Sequence, residues 1–186
     1  MSTGRLVAVV GPSGVGKDSV IRALCAAVPS CHRVRRVITR AAALGGEDFD
    51  SVDPAEFDRR LSHGDFALWW DAHGLRYGIP VTARDLVAGG GLAVANLSRG
   101  ALGDAARVFA GLHVLSITAA PGILASRLSA RGREGRDDIA RRLARAAPPP
   151  PPGVMVTEID NSGALADTVA AALKALQPVS GTRRIK

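Results

Sequence analysis

Long apolar runs are missing from this sequence of 186 residues. No uninterrupted apolar stretch approaches the roughly 20 residues that a membrane-spanning helix requires, so we expect no membrane association. The apolar segment near the N-terminus ends at Gly11. It is too short for a secretory signal and no cleavage site follows it. We therefore expect a cytoplasmic protein.

Cysteines and aromatic residues are also scarce. Cys25 and Cys31 are the only cysteines, and one pair supplies neither a disulfide framework nor a zinc site. In a cytosolic protein we expect both to be reduced thiols. Aromatic residues make up 4% of the chain, and no stretch interleaves them with basic residues, as binders of single-stranded nucleic acid do. Nucleic acid is therefore not expected as a partner.

Positive charge is in excess. The chain has 24 Lys and Arg against 17 Asp and Glu, a formal net charge of +7, and most of its basic residues are arginines. Because guanidinium groups bind phosphate in a planar, bidentate geometry, this composition favours a phosphorylated small molecule as partner. The length fits one domain, which we place at residues 1–179, with a disordered tail at 180–186. The oligomeric state, monomer or homodimer, stays open.

Apolar runs typical of buried strands alternate with segments of helical spacing. This alternation predicts an α/β fold in which helices flank a parallel sheet. The predicted strands are 6–10, 33–39, 65–70, 92–97, 113–118 and 154–160. The predicted helices are 17–28, 54–64, 101–111, 121–130, 139–146 and 164–176.

The segment GPSGVGKDS, residues 11–19, lies between the first strand and the first helix. Its glycines and lysine match the phosphate-loop pattern, in which backbone N–H groups surround an anion and the lysine reaches the β- and γ-phosphates. The context of strand, loop and helix predicts a P-loop NTPase fold that binds a nucleoside triphosphate. The candidate contacts of this nucleotide, which the resemblance described below implies is ATP, are Gly11, Pro12, Ser13, Gly14, Val15, Gly16, Lys17, Asp18 and Ser19.

Asp18 occupies the position at which the pattern has a serine or threonine. An acidic residue in the first turn of a helix is favoured by the helix dipole and needs no further role. Alternatively, its carboxylate binds Mg²⁺, a cation that prefers oxygen ligands. We favour the magnesium role, since a negative charge beside a triphosphate is costly without a cation between them.

Four later segments follow the phosphate loop in a fixed order. They contain Thr39 and Arg40 with Gly46 and Glu47, then Gly64, Asp65 and Phe66, then Tyr77 and Gly78, and finally Arg131, Gly132 and Arg142. In this order they resemble three motifs and the lid of the guanylate kinase superfamily. At the two positions where that superfamily has guanine-binding side chains, this chain has Leu68 and Pro80. Where the superfamily has a second arginine in its first motif, this chain has Ala43. Leucine and proline side chains cannot hydrogen-bond a base edge, so GMP is not the expected acceptor.

The runs GPSGVGKDS and AHGLRYGIP together resemble the ribose 1,5-bisphosphate phosphokinase family of phosphonate breakdown more closely. That family has Asp after the loop lysine. The resemblance implies transfer of the γ-phosphoryl group of ATP, with Mg²⁺, to the 1-phosphate of ribose 1,5-bisphosphate, giving 5-phosphoribosyl diphosphate. A nucleoside monophosphate kinase is the alternative, and a non-catalytic scaffold domain is a weaker one.

The resemblance also implies site roles. It predicts an acceptor-binding subdomain at about 36–91 and a lid at about 130–146, with Lys17, Asp18, Arg131 and Arg142 as catalytic residues. Asn161 matches a position near the adenine. Tyr77 could instead be a core aromatic, the lid arginines a solvated helix face, and His73 either a phosphate contact or a loop residue. One of Trp69 and Trp70 is expected in the core, and the other beside the sugar. The expected acceptor contacts are Arg40, Glu47, Tyr77, Asn96, Ser98 and Arg99, with Arg36 as a residue that could assist them.

Overall fold

The computed structural model describes residues 4–41, 48–130 and 148–177. Its larger sheet consists of β1 (Arg5–Val10), β2 (Cys31–Arg33), β7 (Leu92–Asn96), β8 (Leu112–Thr118) and β9 (Met155–Asp160). These five strands are parallel and lie in the order β2-β7-β1-β8-β9. Because all five run in the same direction, their carboxyl ends meet at one edge of the sheet.

A second sheet of four strands has the order β4-β3-β6-β5. β3 (Arg36–Ile38) pairs in parallel with β4 (Phe49–Ser51) and antiparallel with β6 (Leu75–Pro80). β6 also forms an antiparallel hairpin with β5 (Phe66–Ala72). The segment that we predicted to bind the acceptor therefore contains a mixed sheet of its own.

Helices cover both faces of the parallel sheet, as predicted. They are α1 (Lys17–Ala27), α2 (Pro54–Ser62), α3 (Val81–Ala88), α4 (Leu102–Val108), α5 (Pro121–Ala130) and α6 (Leu165–Leu176). Alternate side chains of β1 enter different cores: Leu6 and Ala8 pack in the core that includes α3 and α4, whereas Val7 and Val9 pack in the one that includes α1 and α6. Such continuous burial is typical of a parallel strand covered on both faces.

The single strand predicted at 33–39 is wrong, because the structure divides this segment between the two sheets. Arg33 ends β2 in the parallel sheet, and the N–H of Val34 still donates to the carbonyl of Val94 at 2.9 Å. Arg36 then begins β3 in the second sheet. Two residues therefore connect the sheets. The alternating apolar and basic residues of this segment do not indicate where the chain leaves one sheet and enters the other.

The cysteines also differ from the prediction. Cys25 in α1 and Cys31 in β2 form a disulfide, so the expectation of two reduced thiols is wrong. The chain turns tightly after the helix, where the N–H of Cys31 donates to the carbonyl of Val28 at 2.9 Å. This turn brings the two Cα atoms to 5.1 Å, within the range that a disulfide spans.

Several predictions lie outside the described residues. They are the lid with its basic helix at 139–146, the tail at 180–186, and the individual residues Ala43, Gly46, Glu47, Arg131, Gly132 and Arg142. Within the described ranges, no helix is both long and apolar enough to cross a membrane.

Candidate active site

The phosphate loop connects β1 to α1 at the carboxyl edge of the parallel sheet. Gly16 adopts a left-handed conformation with φ 94° and precedes the first residue of α1. A Cβ atom there would lie 2.8 Å from Nδ2 of Asn161, so both the backbone angle and the close neighbour require glycine. The ammonium group of Lys17 donates to the carbonyl oxygens of Gly11 and Pro12, at 3.0 and 3.1 Å. The lysine thus lies across its own loop.

Asp18 lies in the first turn of α1 and contacts the neighbouring strand. Nδ2 of Asn96, the last residue of β7, donates to Oδ1 of Asp18 at 3.3 Å. Asn96 is buried, so its amide holds one carboxylate oxygen in a defined position. Ser19, in contrast, is exposed on the next position of the helix.

A cavity of about 230 Å³ connects the phosphate loop to the second sheet. Parallel strands collect polar residues at their carboxyl ends, where such proteins bind ligands. The walls of this cavity are consequently polar and rich in cations. It is lined by five of the expected acceptor residues, namely Arg40, Tyr77, Asn96, Ser98 and Arg99, together with Gly11, Ser13, Lys17, Arg36, Trp70, Ala72, His73 and Leu97.

The second sheet supplies an aromatic wall with cations beside it. The rings of Trp70 and Tyr77 stack with their centroids 5.3 Å apart, and the guanidinium of Arg36 lies 5.5 Å from the Tyr77 ring centroid. Tyr77 packs in the core and also lines the cavity. It is therefore a core aromatic that also lies at the candidate acceptor site. Arg40 lies over the ring of Phe49 at 4.4 Å. Sequence reasoning gave Arg36 only an assisting role, although it is a buried arginine in the cavity wall.

The two tryptophans face in opposite directions, as the alternation of a strand requires. Trp70 is in the core and in the cavity wall. Trp69 is 41% exposed and lies outside the cavity, with the guanidinium of Arg76 at 5.3 Å. One residue therefore fills both expected places, and Trp69 is not beside the candidate acceptor site.

His73 lies at the tip of the β5–β6 hairpin. It has φ 55° and is followed by Gly74 with φ 71°, as in the two-residue turns that match the twist of paired strands. A positive φ is uncommon for a residue with a side chain. The turn places His73 in the cavity wall, and of its two alternatives this position favours the phosphate contact.

Asn161 follows β9 and is buried beneath the phosphate loop. Its Nδ2 donates to the carbonyl of Val15 at 2.7 Å, and its Oδ1 accepts from the hydroxyl of Thr168 at 2.7 Å. The contact of Asn161 with adenine stays a prediction. So do the roles of Glu47, Arg131 and Arg142, which lie outside the described residues.

In the described part of the chain, no group of three or more His, Cys, Asp or Glu residues could hold an ion. Mg²⁺ usually binds through one or two carboxylates together with waters and the phosphates of a substrate. Asp18, beside the loop lysine, is the carboxylate that suits this arrangement.

No family model matches the chain, but curated proteins do. A ribose 1,5-bisphosphate phosphokinase PhnN from Ruegeria sp. is 49% identical over 175 residues, which cover 94% of this chain and 92% of that protein. The chain belongs to the ribose 1,5-bisphosphate phosphokinase family. A second member of this family, from Brucella melitensis, is 46% identical over 180 residues and covers 95% of this chain. The resemblance inferred from the motifs is thereby confirmed.

The fold of this ribose 1,5-bisphosphate phosphokinase family member is similar to that of a solved kinase structure. The guanylate kinase from Anaplasma phagocytophilum superposes with a TM-score of 0.68, over 95% of this chain and 88% of that chain, at 19% identity. This likeness establishes the fold, which is the predicted α/β fold of guanylate-kinase type.

Proposed function

We propose that the protein transfers the γ-phosphoryl group of ATP to the 1-phosphate of ribose 1,5-bisphosphate. An oxygen of the 1-phosphate forms the new bond to the γ-phosphorus and the bond to the β-phosphate oxygen breaks, which gives 5-phosphoribosyl diphosphate and ADP. The observation that carries the proposal is the cavity in which the loop lysine, Lys17, adjoins Arg36, Arg40 and Arg99. Several cations beside a phosphate loop suit an acceptor that itself carries two phosphates.

The second sheet offers little with which to read a nucleobase. Leu68 is buried in the core, and Pro80 ends β6. Neither side chain has a donor or acceptor, so a guanine edge would lose its hydrogen bonds there. Trp70 and Tyr77 give instead an aromatic wall on which a sugar ring could lie. These features support a sugar phosphate over GMP.

Catalysis requires positioning and charge neutralisation more than covalent chemistry. Lys17 binds the phosphates of ATP, and the loop N–H groups surround them. Asn96 orients Asp18, which would hold Mg²⁺, and the ion would neutralise charge on the phosphates. Arg36, Arg40 and Arg99 bind the acceptor phosphates with Ser98 and His73. The acceptor oxygen is already ionised, so no general base is needed.

Three further residues complete the proposed site from outside the described ranges. Arg131 and Arg142 bind the ATP phosphates from the lid, and Glu47 orders Arg40 for binding of the acceptor. Free ATP and phosphorylated sugars are cytoplasmic metabolites, and we place the protein in that compartment.

The deciding experiment follows product formation by ³¹P NMR with ATP, magnesium and either ribose 1,5-bisphosphate or GMP. We expect kcat/KM for the bisphosphate to exceed that for GMP by at least about 10³-fold, since a base without polar partners is poorly bound. Lys17→Ala, which removes a phosphate-binding cation, should lower the rate about 10²-fold or more and controls for contaminating kinases. Comparable rates with GMP would reject the proposal in favour of a nucleoside monophosphate kinase.

A further inference from the structure

The carbonyl of Val15, inside the phosphate loop, accepts hydrogen bonds from two distant side chains. Nδ2 of Asn161 donates to it at 2.7 Å, and Nη1 of Arg127 in α5 donates at 3.3 Å. Asn161 is 4% exposed and Thr168, whose hydroxyl donates to Oδ1 of Asn161 at 2.7 Å, is 2% exposed. A buried chain of hydrogen bonds thus connects α6 to the loop.

The chemistry of these groups fixes the orientation of the Asn161 amide. The Val15 carbonyl can only accept, so the NH₂ end of the amide must face it. The carbonyl end then faces Thr168, whose hydroxyl can donate. Buried hydrogen bonds with every partner satisfied are stiff and costly to break. Thr168 therefore holds Asn161, and Asn161 holds the loop.

The position of the Val15 carbonyl determines where the next N–H points. The C=O of Val15 and the N–H of Gly16 belong to one planar trans peptide, and they point in opposite directions. Holding the carbonyl against Asn161 directs the Gly16 N–H away from Asn161. The left-handed φ of Gly16 and the 2.8 Å approach that a Cβ there would make to Nδ2 show that the loop is fitted closely onto this amide.

We propose that Asn161, held by Thr168, is a positioning residue that presets the Gly16 N–H to receive the phosphates of the donor. The inference rests on the proposed binding of a nucleoside triphosphate at this loop, and it is independent of the acceptor. It differs from a contact with adenine in one measurable respect. A residue that arranges the loop acts on any triphosphate, including one that has no base.

The test is calorimetric titration of the full chain with magnesium ATP and, separately, with magnesium tripolyphosphate. Thr168→Val keeps the size of the side chain but removes the hydroxyl that holds Asn161. We expect it to weaken both ligands by the same factor, roughly 3- to 10-fold, the effect of losing one buried hydrogen bond. Asn161→Ala should weaken both by roughly 10-fold or more. Thr168→Ser restores the hydroxyl and should bind both ligands nearly as tightly as wild type.

A matched control separates positioning from stability. Thr157→Val makes the same change in β9, where the hydroxyl of Thr157 contacts Nε2 of His113 at 2.9 Å and not the loop. It should lower the melting temperature without changing either affinity. Weaker binding of ATP alone would assign Asn161 to the adenine and overturn the proposal. Unchanged affinities with a lower melting temperature in Thr168→Val would also overturn it. Neither outcome depends on ribose 1,5-bisphosphate, so the proposed acceptor is tested separately.

Discussion

Replacing Arg36 by methionine should weaken the acceptor and leave ATP unaffected. Arg36 is 9% exposed, lines the cavity and lies 5.5 Å from the Tyr77 ring centroid. Methionine keeps an unbranched apolar side chain but removes the charge. A buried cation is screened little by solvent, so its hydrogen bond to a phosphate is worth about 1.5–3 kcal/mol. This corresponds to a fall in kcat/KM for the acceptor of roughly 10- to 150-fold.

Arg76→Met is a matched control on the same sheet. Arg76 also lies over aromatic rings, 4.6 Å from that of Phe57 and 5.3 Å from that of Trp69, but it is outside the cavity and pairs with Asp58. Steady-state kinetics with each substrate varied in turn, beside thermal melts, should show the acceptor effect only in Arg36→Met. An acceptor kcat/KM within about twofold of that of the control would refute a role for Arg36 in acceptor binding, since the proposed charged hydrogen bond predicts at least about tenfold.

Two further predictions concern a carboxylate and an imidazole. Asp18→Asn should raise the magnesium concentration that gives the half-maximal rate, because a charged ligand oxygen is lost. If the magnesium dependence of the rate equals that of wild type and the free energy of unfolding falls by about 0.3–1 kcal/mol, Asp18 interacts only with the helix dipole. Burial, and secondarily the charge of Arg5, lowers the pKa of His113, so folding favours the neutral ring. The contribution of His113 to the free energy of unfolding should be fully present above about pH 6.5. It should be lost as the pH decreases below that value, by at most about 1.4 kcal/mol per pH unit. Urea unfolding between pH 7.5 and 5 should show a weaker pH dependence for His113→Asn, and equal slopes would contradict this account.

The three central strands of the parallel sheet, β1, β7 and β8, were accessible from the sequence because they lie in largely apolar runs. The edge strand β2 is not apolar, and β4, β6 and α3 were not predicted. Gly78 and Pro80 are typical loop residues, but both have tertiary reasons to be in a strand. A Cβ at Gly78 would lie 2.6 Å from the ring of Phe66 on the paired strand, and Pro80 is the last residue of β6, where α3 begins.

The candidate site was predictable to the extent that its residues lie in motifs at strand ends. Arg40, Tyr77, Asn96, Ser98 and Arg99 were all expected, and the structure brings them around one cavity. The contacts on Val15 could not be predicted, because Arg127 lies 112 positions away and Asn161 lies 146 positions away. No local pattern reports such a contact, which arises only when the sheet brings these segments together.

The two-sheet architecture has a consequence for how acceptor specificity diverges in evolution. The proposed donor site, with Lys17 and Asp18, follows a strand of the parallel sheet, whereas Arg36, Trp70 and Tyr77 belong to the second sheet. Leu68 and Pro80 belong to the second sheet but are not among the residues that line the cavity shared by Lys17 and Arg36. Substitutions without shared partners have nearly additive effects, so selection can change these two positions without rebuilding phosphate binding. Chimaeras that exchange residues 36–80 among relatives of this fold should accordingly inherit acceptor choice from the inserted sheet and nucleotide affinity from the parallel sheet.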